Sequence, residues 1–146
     1  MQIKRVSPHF SVAEQLQVAD LGIAAAQGIK TIVNNRPDNE VQGQPTSADI
    51  EAAAEALGLA YIHIPVVPGK ISAQNIEDFA STCSSAMGPI LAFCRTGSRS
   101  ISLWALVEAK TLDVDAVLAA TSGAGYDLSG MRAMLAAQSG TAVPDS

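Results

Sequence analysis

The run Pro89-Ile90-Leu91-Ala92-Phe93 has no polar side chain, and it stops abruptly at Cys94-Arg95-Thr96-Gly97-Ser98-Arg99-Ser100. An apolar run without alternation, bounded by a turn signal, reads as a strand buried on both faces. Such strands belong to the interior of parallel sheets, which need helices on both sides. This segment fits an α/β chain, and the alternating strand-helix order of the rest of the sequence points to one. Strands are expected at Ile3 to Val6 (an edge strand), Phe10 to Val12, Lys30 to Asn35, Ala60 to Ile64 and Pro89 to Phe93. Helices are expected from Gln15 to Ala26, closed by Gly28, and from a Thr46 or Ser47 cap to Ala56, closed by Gly58. Further helices run from a Ser72 cap to about Ala86, after the Cys loop to Lys110, from Asp113 to about Thr121, and from Asp127 or Ser129 to Gln138. The tail from Ser139 reads as frayed. The expected fold class is α/β, with a mostly parallel central sheet of about four to five strands flanked by helices.

At 146 residues the chain reads as one domain, 1–146. A 48% apolar share rich in Ala, with few aromatics, suits helices packed closely on a sheet. The formal net charge of −5 argues against nucleic acid as a partner, because phosphate backbones need basic surfaces. No apolar run has membrane-spanning length and no signal peptide is apparent. Two cysteines, one of them in a reactive loop, suit a reducing compartment. The expectation is a soluble, cytoplasmic protein with no membrane partner.

A strand that ends in Cys, followed by Gly, small hydroxyls, Arg and a helix, describes an anion cradle with a nucleophile at its floor. Backbone N–H groups at a helix N-terminus point inward, and the helix dipole adds partial positive charge. Both favour thiolate over thiol at Cys94, as does the guanidinium of Arg99. Arg95, Thr96, Gly97 and Ser98 would line the anion, with Gly97 permitting the turn. Ser100 is a candidate donor to the sulfur itself. A buried core cysteine would account for Cys94 alone, but not for two arginines and a glycine within the next five positions. Cys83, among Ala, Ser and Thr, reads as structural, and Trp104 as core. His9 and His63 are isolated and the cysteines lack ligand-like spacing, so neither metal nor cofactor is expected.

Ligands of parallel sheets bind beyond the carboxyl ends of the strands. Three loops leave such ends, Arg36 to Glu40, Pro65 to Lys70 and Cys94 to Ser100, and they can converge on one pocket. Arg36 is then a candidate anion ligand, and Asp38 and Glu40 are candidates for a general acid. The alternative is a solvated turn in which Arg36 pairs with Asp38 or Glu40.

Cys, an anion loop and Arg resemble the cysteine phosphatases, which place five residues between the two; here there are four, Arg95 to Ser98. The form Cys-Arg-x-Gly-x-Arg resembles the loop of single-domain rhodaneses. The rest of the chain does not look like a rhodanese. Its segments Gly28 to Asp38, Leu57 to Pro65 and Cys94 to Ser100 are similar to the bacterial phosphatase-like domain found beside or fused to β-lactamase-type hydrolases. This resemblance spans roughly Val6 to Gln138 and implies the tyrosine and dual-specificity phosphatase fold. The setting of such domains beside persulfide-handling enzymes implies sulfur metabolism, with a partner hydrolase or dioxygenase.

Two chemistries suit the loop. Phosphate-ester cleavage wants a general acid, which in dual-specificity phosphatases is an Asp roughly thirty residues before the cysteine. The matching stretch, His63 to Lys70, has no carboxylate. His63 reads as a strand residue satisfied by a neighbour, and Phe93 stands where that family has a histidine. Sulfane-sulfur transfer from thiosulfate or a persulfide needs no acid, since the leaving group is already a good anion. The short loop and the missing acid therefore favour a Cys94 persulfide, with a phosphatase working through a Cys94 phosphocysteine as the alternative. A non-catalytic anion-binding or redox-sensing module is the third reading.

Overall fold

The computed structural model describes residues 1–140. Its strands are β1 (Lys4–Ser7), β2 (Phe10–Ala13), β3 (Thr31–Asn34), β4 (Ala60–His63) and β5 (Ile90–Phe93), in the sheet order β1-β2-β5-β3-β4. β5 pairs in parallel with β2 and with β3, β3 pairs in parallel with β4, and β1 turns back antiparallel along β2. All four residues of β5 are buried, and their side chains alternate between two cores. Ile90 and Ala92 join Phe10, Val33, Phe79 and Trp104; Leu91 and Phe93 join Leu16, Leu21, Ile32 and Ile50. The unalternating apolar run is thus a strand covered on both faces, as expected.

The helices are α1 (Asp20–Ala26), α2 (Ser47–Ala56), α3 (Ala73–Ser85), α4 (Ser98–Glu108), α5 (Val114–Gly123) and α6 (Arg132–Gly140), the last preceded by a 3-10 turn at Ser129–Met131. Thr46, Ser72 and Asp113 accept backbone N–H groups as N-caps, and Ser72 forms a capping box with Asn75. α4 is enclosed rather than amphipathic. Residues 100–106 are all buried, because α4 lies against the sheet with α3, α5 and α6 around it. A helix apolar or small on every side is what such a position selects.

α1 is shorter than the Gln15–Ala26 helix expected. The Asp20 carboxylate accepts the Gln17 N–H at 2.8 Å, closing a turn before the helix starts. Gln15 is used elsewhere, as described below. α6 carries the chain through Ser139 to Gly140, past the point where fraying was expected, and 141–146 lie outside the described residues. No helix among the described residues is long and apolar enough to cross a membrane.

Phe79 is fully buried on α3 and meets Phe10 edge-on at 5.7 Å between ring centroids. Phe79→Ala is expected to cost about 3–5 kcal/mol of stability, read from urea unfolding midpoints at unchanged slope.

Candidate active site

The end of β5 is clamped from both sides. Asn35 N–H donates to the Phe93 carbonyl at 2.8 Å, and Gln15 N–H donates to the Arg95 carbonyl at 3.3 Å. Between these clamps the chain turns out of the sheet and into α4. Gly97 sits at φ +92° as the residue before the helix, a left-handed conformation that glycine adopts at no steric cost. Its N–H donates to Cys94 Sγ at 3.1 Å. Cys94 is wholly buried as the floor of the loop, and Arg95, Thr96 and Ser98 stand exposed on the rim. Thr96 Oγ1 and Ser98 Oγ share a 2.9 Å hydrogen bond. Arg95 enters none of the ion pairs among the described residues.

The three loops do converge, and Arg99 is where they meet. Its Nη1 donates to Glu40 Oε2 and to the Val66 carbonyl, both at 2.8 Å, and its Nη2 donates to Glu40 Oε1 at 2.9 Å. A guanidinium has five N–H donors, so three are spent and the Nε–H and the second Nη2 proton stay off these partners. Burial opposes the charge on Arg99, but the hydrogen bond to Glu40 and the charge at Cys94 outweigh it and hold its pKa above the ordinary arginine value.

Glu40 lies between two guanidiniums. Arg36 Nε reaches Oε1 at 2.7 Å, and Arg36 Nη1 donates to Gln15 Oε1 at 2.9 Å. The side chains of Arg36, Arg99 and Glu40 are only 4%, 11% and 18% exposed, so this is a largely desolvated cluster rather than a surface pair. Gln44 fixes the loop that carries Glu40, accepting the Glu40 N–H at 3.1 Å and donating to the Pro37 carbonyl at 2.8 Å. The hydrogen bond from Arg99, with that from Arg36 and both positive charges, lowers the Glu40 pKa against the opposing effect of burial.

Several expected roles change with this geometry. Glu40 does fold over the pocket, but as an ionised carboxylate bound to arginines it holds no proton to donate as a general acid. Asp38 Oδ1 accepts the Ser47 N–H at 2.8 Å, at the start of α2. Arg36 is buried and bonded to Glu40 and Gln15, so it orients Glu40 instead of meeting an anion. Both readings of this loop hold in part, because Arg36 is paired and yet the loop reaches the site. Ser100 does not donate to the sulfur. Its single hydroxyl proton goes to Asn35 Oδ1 at 2.7 Å, while Asn35 Nδ2 donates to the Ile64 carbonyl at 3.0 Å. His63 is satisfied as expected, with Nε2 2.8 Å from the Arg36 carbonyl.

Gln15, Asn35, the Val66 carbonyl and Tyr126 escaped the sequence reading. Asn34-Asn35 at the end of a buried strand was the only available signal. Beside the loop a cleft of about 340 Å³ opens between Gly69, Lys70 and Ile71, the first turns of α4 at Ser98, Arg99 and Ser102, and Met131 and Met134. No group of three His, Cys, Asp or Glu side chains among the described residues is placed to hold a metal ion.

A parallel sheet ending in a buried cysteine, an amide-lined loop and a fixed arginine defines a cysteine-phosphatase-like fold. A crystal structure from Neisseria meningitidis Z2491, named a "putative phosphatase", superposes with a TM-score of 0.84 at 35% identity, covering 94% of this chain and 99% of that one. Pseudomonas aeruginosa TpbA, solved in complex with pTyr, shares the fold at a TM-score of 0.62 and 16% identity, over 92% of this chain and 90% of its own. Residues 2–111 match the family described as "Beta-lactamase hydrolase-like protein, phosphatase-like domain", and the chain belongs to that family. A Beta-lactamase hydrolase-like protein of Agrobacterium fabrum C58 is 38% identical over 109 residues. The match covers 75% of this chain and 25% of that protein, so the chain spans about a quarter of this relative's length.

The lowered Glu40 pKa has a signed consequence for stability. A carboxyl whose folded pKa lies below its unfolded one stabilises above the unfolded value, and that contribution fades as pH falls through the folded one. The stability difference between wild type and Glu40→Gln is expected to be full at pH 7. It should shrink steadily as pH drops below the ordinary glutamate range, in urea titrations run at several pH values.

Proposed function

We propose that this chain is a cysteine-dependent phosphatase that cleaves phosphate monoesters through a Cys94 phosphocysteine. The observation that carries this reading is the arrangement at Arg99. Glu40 and Val66 take three of its five protons, and the Nε–H and the second Nη2 proton remain for an anion beside the Cys94 sulfur. Two donors of a planar guanidinium match two oxygens of a phosphoryl group. The first turn of α4 adds backbone N–H groups and a dipole of the right sign.

In the first step Cys94 Sγ attacks phosphorus, the P–O bond to the leaving group breaks, and its electron pair departs with that oxygen. Arg99 and the loop amides hold the three equatorial oxygens as their charge rearranges. In the second step water attacks the phosphocysteine, the S–P bond breaks, and thiolate and inorganic phosphate are released. Glu40 and Arg36 serve the reaction by fixing Arg99, and Gln15 extends that support to the segment beside the loop. The cleft lined by Ile71, Met131 and Met134 would receive the leaving group, with Lys70 at its rim.

No carboxylic acid among the described residues is assigned to the leaving oxygen in this reading, so a substrate whose leaving group departs easily as an anion is favoured. Aryl phosphates are expected to exceed alkyl phosphates in kcat/KM by about a hundredfold or more, the contribution a general acid ordinarily makes. Equal rates on both would show that an acid is present after all. Cys94→Ser is expected to abolish release of inorganic phosphate from an aryl phosphate, and Arg99→Lys to lower kcat/KM by about 10²–10³.

The four-residue spacing from Cys94 to Arg99 and the missing acid are the features that favour sulfane-sulfur transfer, and the family and structural relatives lend it no support. Intact mass after incubation with thiosulfate tests it. One added sulfur on wild type, lost on adding thiol and absent from Cys94→Ser, together with no phosphatase activity, would reverse the order of the two chemistries.

A further inference from the structure

The Thr96–Gly97 peptide is held on both of its faces. On one side Gly97 N–H donates to Cys94 Sγ at 3.1 Å. On the other, Tyr126 Oη donates to the Thr96 carbonyl at 2.7 Å. The carbonyl and the N–H of one trans peptide point in opposite directions, so fixing the first aims the second. The alternative orientation of this peptide would turn a carbonyl oxygen toward the sulfur and toward any bound anion, which repels both. Gly97 has the positive φ at which such a reversal meets little steric resistance.

Nothing else within the loop holds the Thr96 carbonyl. The Thr96 and Ser98 hydroxyls are bonded to each other. Tyr126 comes from beyond α5, thirty residues further along the chain, and is itself tied down. Lys4 Nζ, on the edge strand β1, donates to Tyr126 Oη at 3.4 Å and stands 4.8 Å from the centre of its ring. The fit is close: a Cβ at Gly97 would collide with the Tyr126 hydroxyl and ring. The tyrosine therefore both requires a glycine at 97 and restrains its peptide.

We propose that Tyr126 is a positioning residue of the anion loop, keeping Gly97 N–H on Cys94 Sγ by holding the Thr96 carbonyl away from the site. For its catalytic consequence this rests on the reading of Cys94 to Arg99 as the phosphate site; for its geometry it does not. Tyr126→Phe removes one hydroxyl and keeps the ring, so the fold should persist with a melting temperature close to wild type.

The experiment compares wild type and Tyr126→Phe by amide hydrogen exchange on ¹⁵N-labelled protein, by inorganic phosphate binding, and by kinetics on an aryl phosphate. The expected result is exchange at Gly97 faster by about tenfold, the worth of one ordinary hydrogen bond, with Leu91 and Leu103 in the core unchanged. Phosphate affinity and kcat/KM should fall by a similar factor. Unchanged Gly97 exchange would overturn the proposal, as would faster exchange spread evenly over the core, which marks general loosening. A wild type that neither binds phosphate nor hydrolyses the ester would sink the phosphatase reading, while the exchange ratio at Gly97 would still decide the role of Tyr126.

Discussion

β5 is hydrogen-bonded in parallel on both edges and covered on both faces, and the candidate site is built at its end. A strand with no free edge and no free face cannot shift without breaking two ladders and disturbing two cores. The position of Cys94, one residue beyond it, is therefore set by the whole domain. The same constraint explains α4. A helix that leaves the centre of the sheet must run back across it, so it is enclosed by its neighbours and its first turn cannot drift from the loop it caps.

Around that fixed point the site is assembled from weakly structured segments held by buried polar contacts. Glu40 comes from a long loop with no strand or helix of its own, and its place is kept by two guanidiniums and by Gln44. Removing one member of such a desolvated cluster leaves the others short of partners, which is costly in a way an exposed pair is not. The arrangement converts a flexible arginine into one with a defined free edge. Asn35 does a comparable service on the other side, tying Ser100 at the start of α4 to the segment after β4.

The elements were legible because their signals are local. Apolar and β-branched runs marked the inner strands, and Thr46, Ser72 and Asp113 marked helix starts by a chemistry that involves only the next three residues. α1 failed at its beginning for the opposite reason. Gln15 and Gln17 look helical to any local rule, but Gln15 is recruited by Arg36 and by the backbone of Arg95, and Asp20 closes a turn on Gln17. Tertiary contacts there outweigh propensities worth only a few tenths of a kcal/mol per residue.

Composition and spacing by themselves determined an α/β domain with a parallel core, and a loop that carries Cys94, Gly97 and Arg99 from the end of β5 into α4. These follow from the period of burial and from the backbone freedom of glycine, both of which are written in consecutive residues. Only the tertiary structure decided what the remaining charges do. Arg36 became a support, Asp38 a helix-end acceptor, Glu40 an ionised partner of Arg99, and Ser100 a donor to Asn35. A carboxyl or hydroxyl takes its role from the donor or acceptor nearest to it in space, and those partners lie up to 65 residues away along the chain.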